Sequence, residues 1–541
     1  MVLASIGELP MKMTGGQALV KSLGREGVRV IFGIPGVQLY HVMDALYDDP
    51  EITFITTRHE QAAAYMADGY SRAGGGIGTA MVVPGPGLLN ASAGIGTAYA
   101  ASSPILVVSG QVPRDSIGAK LGELHEVDDQ LEAIKPITKW SRRVLHAADI
   151  PAAVKEAFRQ LGTGRPRPVE IEIVWDALPE TTEIELLETT SVTRPCASLS
   201  DVQKGVEVLL TARSPAILAG RGVIASGASG ILVQVAEHLQ TPVFTTLEGK
   251  GSISDRHPLS VGINYRSEIA SQHFQRCDVI LAVGTMTSKV EFGASQRVVQ
   301  IDIDCGEIRR SASHSTVGLV GDAKATLEAL YRAISQIVPA RCHPSEETKL
   351  ARAQRFERKS RVEPQYSIVR AIRAALPDDA IIVEGVTQIG YASRYYYEVY
   401  EPGTYLTSSY FGNLGYAYPL ALGAKVAQPG RTVVAISGDG GFLYNSQELA
   451  TAVKYGINAI VIVFNDNAYG NVLRDQVNRF EGRIIGSKLH NPDFVKLAEA
   501  YGAMGIKTAG PQELGSALER AILADVPVLI EVPVGPMPSP W

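Results

Sequence analysis

The sequence has few cysteines, no long apolar segment and no excess of basic charge. Its four cysteines, Cys196, Cys277, Cys305 and Cys342, are far apart in a chain of 541 residues and form neither a CxxC pair nor a zinc-binding spacing. This pattern favours a reducing compartment over a disulfide-stabilised scaffold. The longest apolar strand candidates, such as "AIVIVF" at 459–464, are much shorter than the roughly 20 residues that cross a bilayer as a helix.

The charge balance and the N-terminal sequence argue against further classes. A formal net charge of −6, from 50 Lys and Arg against 56 Asp and Glu, argues against nucleic acid as the main partner, because phosphate binding requires a basic surface. The opening "MVLASIGELPMKMTGGQALV" has no basic start before a long apolar core, and Glu8 and Pro10 interrupt it, unlike a secretory signal. We therefore expect a soluble, cytoplasmic protein with small-molecule partners, no nucleic acid and no membrane.

Short β-branched runs alternate with helical stretches along the whole chain. Runs such as "VRVIFGIPG", "CDVILAVGT" and "RTVVAISGDG" end in glycine turns, a pattern typical of buried parallel strands in α/β proteins. Two polar stretches, near 177–200 and 338–366, interrupt the series. We predict three α/β domains, each a mainly parallel sheet flanked by helices, at residues 1–180, 190–338 and 360–541.

The first and third predicted domains look like distant copies of one fold. Both "TAMVVPGPGLLNASAGIGTAYAASSPILVVSG" and "TVVAISGDGGFLYNSQELATAVKYGINAIVIVFND" read as a strand, a glycine turn, a small-residue helix and a second strand. The first copy has Pro-Gly-Pro-Gly where the second has Gly-Asp-Gly-Gly, so only the second has an acidic turn. Duplication followed by divergence accounts for this pattern, and general α/β similarity is the alternative.

Two acidic turns in the third domain predict a metal site. Asp439 follows the strand "VVAIS" and Asp466 follows "AIVIVF", 466 − 439 = 27 residues later. Carboxyl ends of neighbouring parallel strands meet at one edge of a sheet, and Mg²⁺ is commonly held by one or two carboxylates together with phosphates. Gly438, Gly440 and Gly441 leave room for a diphosphate against a helix N-terminus. The alternative is that both acids are ordinary solvated loop residues.

A longer set of motifs, in a fixed order, resembles the thiamine-diphosphate-dependent enzymes. The GDG turn followed by an Asn-rich turn is similar to their cofactor motif. The resemblance extends over essentially the whole chain through "IFGIPG", "RHEQAAAYMADGYSRAGG", "VVPGPGLLN", "SGQVPR", "GNLGYAYPLALGAKVAQPGRTVVAISGDG" and "NPDFVKLAEAYGAMG". It points to the acetolactate synthase-like branch, with benzoylformate decarboxylase, benzaldehyde lyase and pyruvate decarboxylase as relatives.

This resemblance implies roles in binding the cofactor. Glu60 matches the glutamate that hydrogen-bonds N1′ of the aminopyrimidine and so promotes deprotonation of the thiazolium C2. Gly412 matches the residue whose carbonyl accepts from the 4′-amino group. Leu414 matches the apolar residue that holds the cofactor in its V shape, and Thr387 and Gln388 match contacts to the diphosphate.

The implied metal ligands are the side chains of Asp439 and Asp466 and the carbonyl of Ala468. Members of the family usually have Asn-Asn where this chain has Asn465 followed by Asp466, so the chain has an additional negative charge beside the diphosphate. A shift in register would make Asn467 the ligand instead. Both alternatives are compatible with the sequence.

Several polar residues are assigned to the substrate side of the site. Gln111 in "SGQVPR" matches an active-site glutamine of acetolactate synthases, and the alternative is an amide that stabilises a turn. His125 in "GELHEVDDQ" lies on a segment that borders the substrate in relatives, and the alternative is a structural histidine. Tyr469, placed here with the cofactor-binding residues, and Asn90 either line the site or belong to the core.

The central domain lacks the features of FAD-binding relatives. Those relatives have an "RFDDR"-like stretch after the strand represented here by "LAVGT", where this chain has Met286, Thr287, Ser288 and Lys289. A glycine-methionine-rich segment is also replaced by "GINYRSE". A glycine turn at 220–230 is a weak nucleotide-type signal. We expect thiamine diphosphate and Mg²⁺ as cofactors and no FAD.

Glu60 belongs to the first predicted domain, and the GDG turn belongs to the third. In the family these two parts come from different subunits, which implies a homodimer or homotetramer. The expected function is that of a carboligase of the acetolactate synthase type, which decarboxylates a 2-oxo acid and adds the enamine to a second carbonyl. The alternatives are a non-ligating 2-oxo-acid decarboxylase or hydroxyketone lyase, a flavin-dependent oxidase, and a catalytically silent cofactor-binding protein.

Overall fold

Three six-stranded parallel sheets, each flanked by helices, make up the protein in the computed structural model. The predicted α/β class with three domains is confirmed. The structure describes residues 10–263, 268–288, 290–310, 315–340, 346–354 and 361–539. Glu8, Lys289, Cys342 and part of "GINYRSE" lie outside these ranges, as do the expectations that depend on them.

The first sheet is accompanied by a separate antiparallel pair of strands. The pair consists of β1 (Met11–Thr14) and β8 (Thr181–Ile184). The sheet itself consists of β2 (Val30–Gly33), β3 (Thr53–Thr56), β4 (Gly78–Val82), β5 (Ile105–Gln111), β6 (Trp140–Val144) and β7 (Val169–Val174). The helices are α1 (Gly15–Arg25), α2 (Tyr40–Tyr47), α3 (Glu60–Arg72), α4 (Pro86–Ala100), α5 (Gln130–Ile134) and α6 (Ile150–Gly162). The polar stretch near 177–200 therefore contains a strand, β8, that its low periodicity did not predict.

The central sheet has the strand order of a dinucleotide-binding fold. Its strands are β9 (Pro215–Ala219), β10 (Val243–Thr245), β11 (Ser260–Gly262), β12 (Val279–Val283), β13 (Arg297–Asp302) and β14 (Ser315–Val320). Its helices are α7 (Leu199–Leu210), α8 (Arg221–Ala225), α9 (Ser229–Leu239), α10 (Glu268–Arg276), α11 (Cys305–Arg310) and α12 (Ala323–Ile337), and α13 (Glu346–Gln354) follows. The order β11-β10-β9-β12-β13-β14 corresponds to 3-2-1-4-5-6. Topology alone does not identify a ligand, so the absence of FAD stays a prediction.

The third sheet repeats the strand order of the first. Its strands are β15 (Ile381–Glu384), β16 (Tyr405–Leu406), β17 (Val433–Gly438), β18 (Ile460–Asn465), β19 (Met504–Lys507) and β20 (Val528–Pro533). Its helices are α14 (Gln365–Ala375), α15 (Gln388–Tyr396), α16 (Ala417–Ala427), α17 (Asp439–Phe442), α18 (Glu448–Tyr455), α19 (Gly470–Arg479), α20 (Phe494–Tyr501) and α21 (Leu514–Leu523). Counted from its own first strand, each outer sheet has the order 2-1-3-4-6-5. The predicted similarity of the two outer domains is confirmed.

The central strands are buried because helices cover both faces of each sheet. β12, with the sequence VILAV, is buried throughout, and β17 and β18 are buried except at their last residues. Strands covered on both faces are continuous apolar runs without alternation, which is why the sequence predicts them well. Within the described residues, no helix is long and apolar enough to cross a bilayer.

The first and third domains meet where α3 crosses α16 at backbone distance. A Cβ added to Gly69 would lie 2.0 Å from the Leu420 carbonyl oxygen, and one added to Gly423 would lie 1.9 Å from the Met66 carbonyl oxygen. Only glycine permits such an approach without a backbone shift. Buried apolar residues of both domains form one continuous core around this crossing. The crossing therefore fixes the position of α3, whose first residue is Glu60.

We expect Gly69→Ala to destabilise the protein, because the new methyl group has to push α16 away from α3. The loss should exceed about 2 kcal/mol and lower the apparent Tm by several degrees in a thermal scan. Gly230→Ala in α9 is the matched control, because a Cβ at Gly230 meets no atom within 4 Å. Equal melting curves for the two variants would contradict the close crossing.

Candidate active site

Three adjacent strands of the third sheet end at one cavity. β15, β17 and β18 are parallel neighbours, with Glu384 paired to Ile436 and Gly438 paired to Phe464. Their carboxyl ends open on one edge of the sheet, which is where α/β proteins bind ligands. The cavity has a volume of about 330 Å³. Its lining includes most residues predicted to bind the cofactor or the metal: Thr387, Gln388, Leu414, Gly438, Asp439, Gly440, Gly441, Asp466, Ala468 and Tyr469.

The two acidic turns lie side by side, at the carboxyl ends of the neighbouring strands β17 and β18. Asp439 begins α17 and is 2% exposed, and its Oδ2 accepts a hydrogen bond of 2.6 Å from Asn491 Nδ2. The same nitrogen donates to Asn465 Oδ1 at 2.9 Å. Asp466 Oδ1 accepts from the Ala468 N–H at 3.2 Å. Asn491 thus holds together the ends of β17 and β18.

The charges of these two acids favour a cation between them. Burial raises the pKa of Asp439, and burial, followed by the nearby Asp439 carboxylate, raises the pKa of Asp466 to about 6. A cation relieves both effects because it stabilises both ionised carboxylates. Asn491 Oδ1 is a buried oxygen that has no hydrogen-bond partner among the described residues. This set of oxygen donors fits a hard divalent cation such as Mg²⁺.

Further oxygens for such an ion have to come from the backbone, a ligand or water. In the part of the chain that the structure describes, no group of three or more His, Cys, Asp or Glu side chains is placed to hold a metal. Two carboxylates leave most of an octahedral shell open, and Mg²⁺ usually fills such positions with phosphate oxygens and water. The residues present therefore fit a metal that is shared with a bound diphosphate.

Asp466 and Asn467, the two candidate metal ligands of the second acidic turn, differ in their exposure to solvent. Asp466 lines the cavity, whereas Asn467 is exposed and has a left-handed backbone with φ of 53°. The Asn467 carbonyl accepts from the Leu489 N–H at 2.8 Å, which fixes this turn to the following segment. The geometry favours Asp466 over Asn467 as the metal ligand.

Glycines keep the space around the two acids open. A Cβ added to Gly440 would lie 2.6 Å from the Tyr469 ring, and one added to Gly470 would lie 2.5 Å from Asp466 Oδ2. Side chains at either position would therefore displace Tyr469 or the acidic turn. The absence of side chains leaves backbone N–H groups accessible to phosphate oxygens, as in other phosphate-binding turns.

Another part of the cavity wall consists of two amides that an arginine orients. Arg474 donates from Nη1 to Gln388 Oε1 at 2.8 Å and from Nη2 to Asn471 Oδ1 at 2.7 Å. Gln388 Nε2 donates to the same Asn471 oxygen at 2.7 Å. Because a guanidinium group only donates hydrogen bonds, both amides must turn their oxygens toward Arg474.

This orientation gives the wall hydrogen-bond donors. Each amide NH₂ group has two hydrogens: Gln388 Nε2 uses one of them on Asn471 Oδ1, and the Asn471 side chain hydrogen-bonds Tyr391. Burial raises the pKa of Tyr391, so its hydroxyl group keeps its proton. Gln388, Tyr391 and Asn471 all line the cavity. A wall of donors suits phosphate or carboxylate oxygens and complements the acidic pair.

Glu60 lies apart from this cavity within the chain. It is the first residue of α3, and its Oε2 accepts a hydrogen bond of 3.1 Å from Asn90 Nδ2. The residues that line the cavity all lie between Val386 and Met537, in the third domain. The structure therefore brings Glu60 and Asn90 together, but it does not place Glu60 at the Asp439 cavity of the same chain.

The "GNLG" loop is fastened to the first domain by Asn413. Asn413 Oδ1 accepts from Thr97 Oγ1 at 3.0 Å, and Asn413 Nδ2 donates to the Tyr65 hydroxyl. On one side of it, Gly412 is exposed and left-handed, with φ of 64°. On the other side, Leu414 lines the cavity. The two predicted cofactor contacts therefore flank a residue whose position depends on α3 and α4.

Gln111 and His125 belong to the first domain. Gln111 ends β5, is 1% exposed, and accepts the Val112 N–H at 2.8 Å, which is the turn-stabilising arrangement that the sequence left open. His125 is left-handed, with φ of 70°, and its buried Nδ1 has no hydrogen-bond partner among the described residues. A Cβ on Gly85, in the Pro-Gly-Pro-Gly turn, would lie 2.4 Å from the His125 carbonyl oxygen. Catalytic roles for Gln111 and His125 stay predictions.

Comparison with known proteins assigns the chain to a family. Residues 13–133, 202–330 and 385–532 match the N-terminal TPP binding domain, the central domain and the C-terminal TPP binding domain of thiamine pyrophosphate enzymes. The chain belongs to the thiamine pyrophosphate (thiamine diphosphate) enzymes. Each matched range falls inside one of the three predicted domains, and the domain boundaries themselves stay a prediction.

The relatives of this thiamine pyrophosphate enzyme include proteins of two named activities. The chain is 35% identical to the probable acetolactate synthase large subunit of Methanocaldococcus jannaschii, over 97% of this chain and 92% of that protein. It is also 35% identical to a probable 2-ketoarginine decarboxylase of Pseudomonas aeruginosa, over 95% and 93%. Identity to the acetolactate synthase large subunit of Haemophilus influenzae is 33%, over 94% and 92%. The predicted resemblance to the acetolactate synthase-like branch is confirmed, and the enzyme makes or breaks carbon–carbon bonds.

The structure adds site residues of this thiamine pyrophosphate enzyme that the sequence did not identify. Asn491 stands in "NPDF", one of the motifs that carried the resemblance, so a signal was present. Asn413 stands inside "GNLG". Asn471 and Arg474 are three residues apart at the start of α19, and helical spacing was the only signal for them.

We expect Arg474→Met to weaken the binding of thiamine diphosphate, because Gln388 and Asn471 lose the group that orients them. The loss of two hydrogen bonds to a charged group should raise Kd about tenfold in calorimetric titrations with Mg²⁺ present. Arg479→Met is the control, because Arg479 is on the same helix but pairs with Asp475 on the exposed surface. The same Kd for both variants would contradict this orienting role.

Proposed function

We propose that the protein is a thiamine-diphosphate- and Mg²⁺-dependent carboligase of the acetolactate synthase type. It decarboxylates a 2-oxo acid and joins the remaining fragment to a second carbonyl compound. The observation that carries the proposal is the cavity where Asp439 and Asp466 adjoin a wall of hydrogen-bond donors. Similarity to acetolactate synthase large subunits over almost the whole chain supports the choice of reaction.

The residues have separate tasks in the proposed site. Thiamine diphosphate, when bound, supplies a ring that accepts the electron pair released in decarboxylation. Asp439, Asp466 and the Ala468 carbonyl hold Mg²⁺, and Thr387 and Gln388 bind the diphosphate. Leu414, Gly412 and Tyr469 hold the organic part of the cofactor in place. Glu60 holds the proton shared with N1′ of the pyrimidine ring.

The active site is completed by a second subunit in this proposal. Glu60 does not line the cavity of its own chain, so the glutamate at the cavity comes from the partner copy of the chain. Large apolar side chains next to site residues are exposed in the single chain: Leu89 at 44%, Tyr410 at 53%, Phe411 at 42% and Tyr444 at 50%. Such surfaces are typical of subunit interfaces and support a homodimer or homotetramer.

Two reactions are named among the relatives, and the wall of Gln388 and Asn471 does not choose between them, because this proposal assigns it to the diphosphate of the cofactor. The first candidate rests on the similarity to acetolactate synthase large subunits. A simple decarboxylase or hydroxyketone lyase is the second candidate, because a probable decarboxylase is equally similar.

The proposal also describes a cytoplasmic enzyme that works without flavin. Its support is the sequence of the central domain after "LAVGT", which lacks the arginine-rich stretch of FAD-binding relatives. The small number of widely spaced cysteines supports a reducing compartment.

Incubation with pyruvate, thiamine diphosphate and Mg²⁺, without FAD, tests the reaction. We expect release of CO₂ with acetolactate or acetoin as the product, identified by mass. Acetaldehyde as the sole organic product would replace the carboligase with a decarboxylase. Turnover only after addition of FAD, in a yellow protein, would support the flavin-dependent oxidase. A protein that binds the cofactor but turns over neither 2-oxo acids nor hydroxyketones would be catalytically silent.

Mixing two inactive variants tests the shared site. We expect Glu60→Gln and Asp439→Ala each to lose almost all activity, because the first removes the proton carrier and the second removes a metal ligand. Co-expressed, the two variants should recover about a quarter of wild-type activity, since half of the dimers are mixed and each mixed dimer has one intact site. No recovery in isolated mixed dimers would place Glu60 and Asp439 of one chain in the same site.

A further inference from the structure

Helix α18 of the third domain binds the backbone that precedes Glu60 in the first domain. Both carboxylate oxygens of Glu448 accept the Arg58 N–H, at 3.0 and 3.2 Å. The Tyr455 hydroxyl accepts the Thr56 N–H at 2.9 Å. Glu448 and Tyr455 are the first and last residues of α18, two helical turns apart, and so lie on the same face. One helix therefore holds two points of the segment that leads into α3.

Burial of the Glu448 carboxylate at this contact is energetically unfavourable. The residue is fully buried, and burial raises its pKa to about 7. Its carboxylate is stabilised by the Thr451 hydroxyl, which donates at 2.6 Å, and by the backbone N–H groups of Arg58 and His59. A buried acid persists only where donors of this kind satisfy its oxygens. The carboxylate and the segment before Glu60 thus depend on each other.

The segment needs support because it lies at an edge of its sheet. β3 is the outermost strand of the first sheet and pairs on one side with β2. Thr56 ends β3, and residues 57–59 form the connection to α3. An edge strand has backbone groups that no neighbouring strand satisfies. Tyr455 satisfies the N–H of Thr56 in this strand and Glu448 satisfies the N–H of Arg58 just beyond it, so the two residues fix the connection on which Glu60 depends.

We propose that Glu448 and Tyr455 are positioning residues for Glu60. By holding the backbone of residues 56–59, they set the place and direction of the first turn of α3. The Glu60 carboxylate then has one position relative to the pyrimidine ring that it serves. This inference rests on the proposed role of Glu60, whereas the contact between α18 and residues 56–59 stands on the structure alone.

Glu448→Gln tests the inference, because it keeps the size of the side chain and removes one strong acceptor and the charge. In the protein without cofactor, hydrogen–deuterium exchange measured by mass spectrometry should become about tenfold faster at the amides of residues 56–59. In the complex with thiamine diphosphate and Mg²⁺, deuterium exchange at the thiazolium C2, measured by NMR, should become slower by about tenfold. The Kd of the cofactor should stay unchanged, because the Asp439 cavity is untouched. A purely structural role would change stability without separating C2 exchange from Kd.

Two further variants make each outcome informative. Tyr455→Phe removes one hydroxyl group and should give the same two changes in weaker form, which tests the inference if Glu448→Gln folds poorly. Glu499→Gln, on the exposed side of α20, should change neither exchange rate. Unchanged amide exchange in Glu448→Gln would overturn the contact. Faster amide exchange with unchanged C2 exchange would overturn the positioning role, provided that Glu60→Gln slows C2 exchange. If Glu60→Gln leaves C2 exchange unchanged, the proposed role of Glu60 fails instead.

Discussion

The close crossing of α3 and α16 is the constraint on which the arrangement of the outer domains depends. Gly69 and Gly423 let two helix backbones touch, and a core made from both domains surrounds them. Hydrogen bonds join the same two domains at further points. Asn413 reaches α3 and α4 from the "GNLG" loop, and Glu448 reaches the segment before α3. Loss of the crossing would therefore disturb both the loop over the cavity and the position of Glu60.

The cavity combines opposite charge preferences in a small volume. Burial raises the pKa of Asp439 and of Asp466, and the Asp439 carboxylate raises the pKa of Asp466 further, so this side of the cavity attracts a cation. The amides held by Arg474 offer donors, so this side attracts anionic oxygens. A metal bound to a diphosphate satisfies both preferences at once, whereas a metal alone or an anion alone satisfies one. This complementarity accounts for two neighbouring carboxylates in the lining of one cavity.

The sequence predicts the elements well and the side-chain partners poorly. Continuous β-branched runs predict the buried strands, and the parallel topology then places Asp439 beside Asp466, because neighbouring strands end at one edge. The strand β8 was not predicted, since its pairing with β1 joins residues far apart in the chain. The same reason applies to Asn491, Arg474 and Glu448, whose partners depend on tertiary packing. The difference in burial that favours Asp466 over Asn467 as the metal ligand also cannot be predicted from the local sequence.

Helix α18 lies between the two acidic turns and connects two parts of the proposed active site. Asp439 begins α17, and α18 begins 448 − 439 = 9 residues later, so the proposed metal ligand and the support of Glu60 lie in one short segment. If Glu60 serves the cavity of the partner subunit, this segment contributes Asp439 to one active site and positions Glu60 for the other. Leu449 and Ala452 of α18 belong to the core that residues of both domains build, so this helix is fixed to both domains. One two-turn helix thus links the segment that begins with Asp439 to the segment that leads into Glu60.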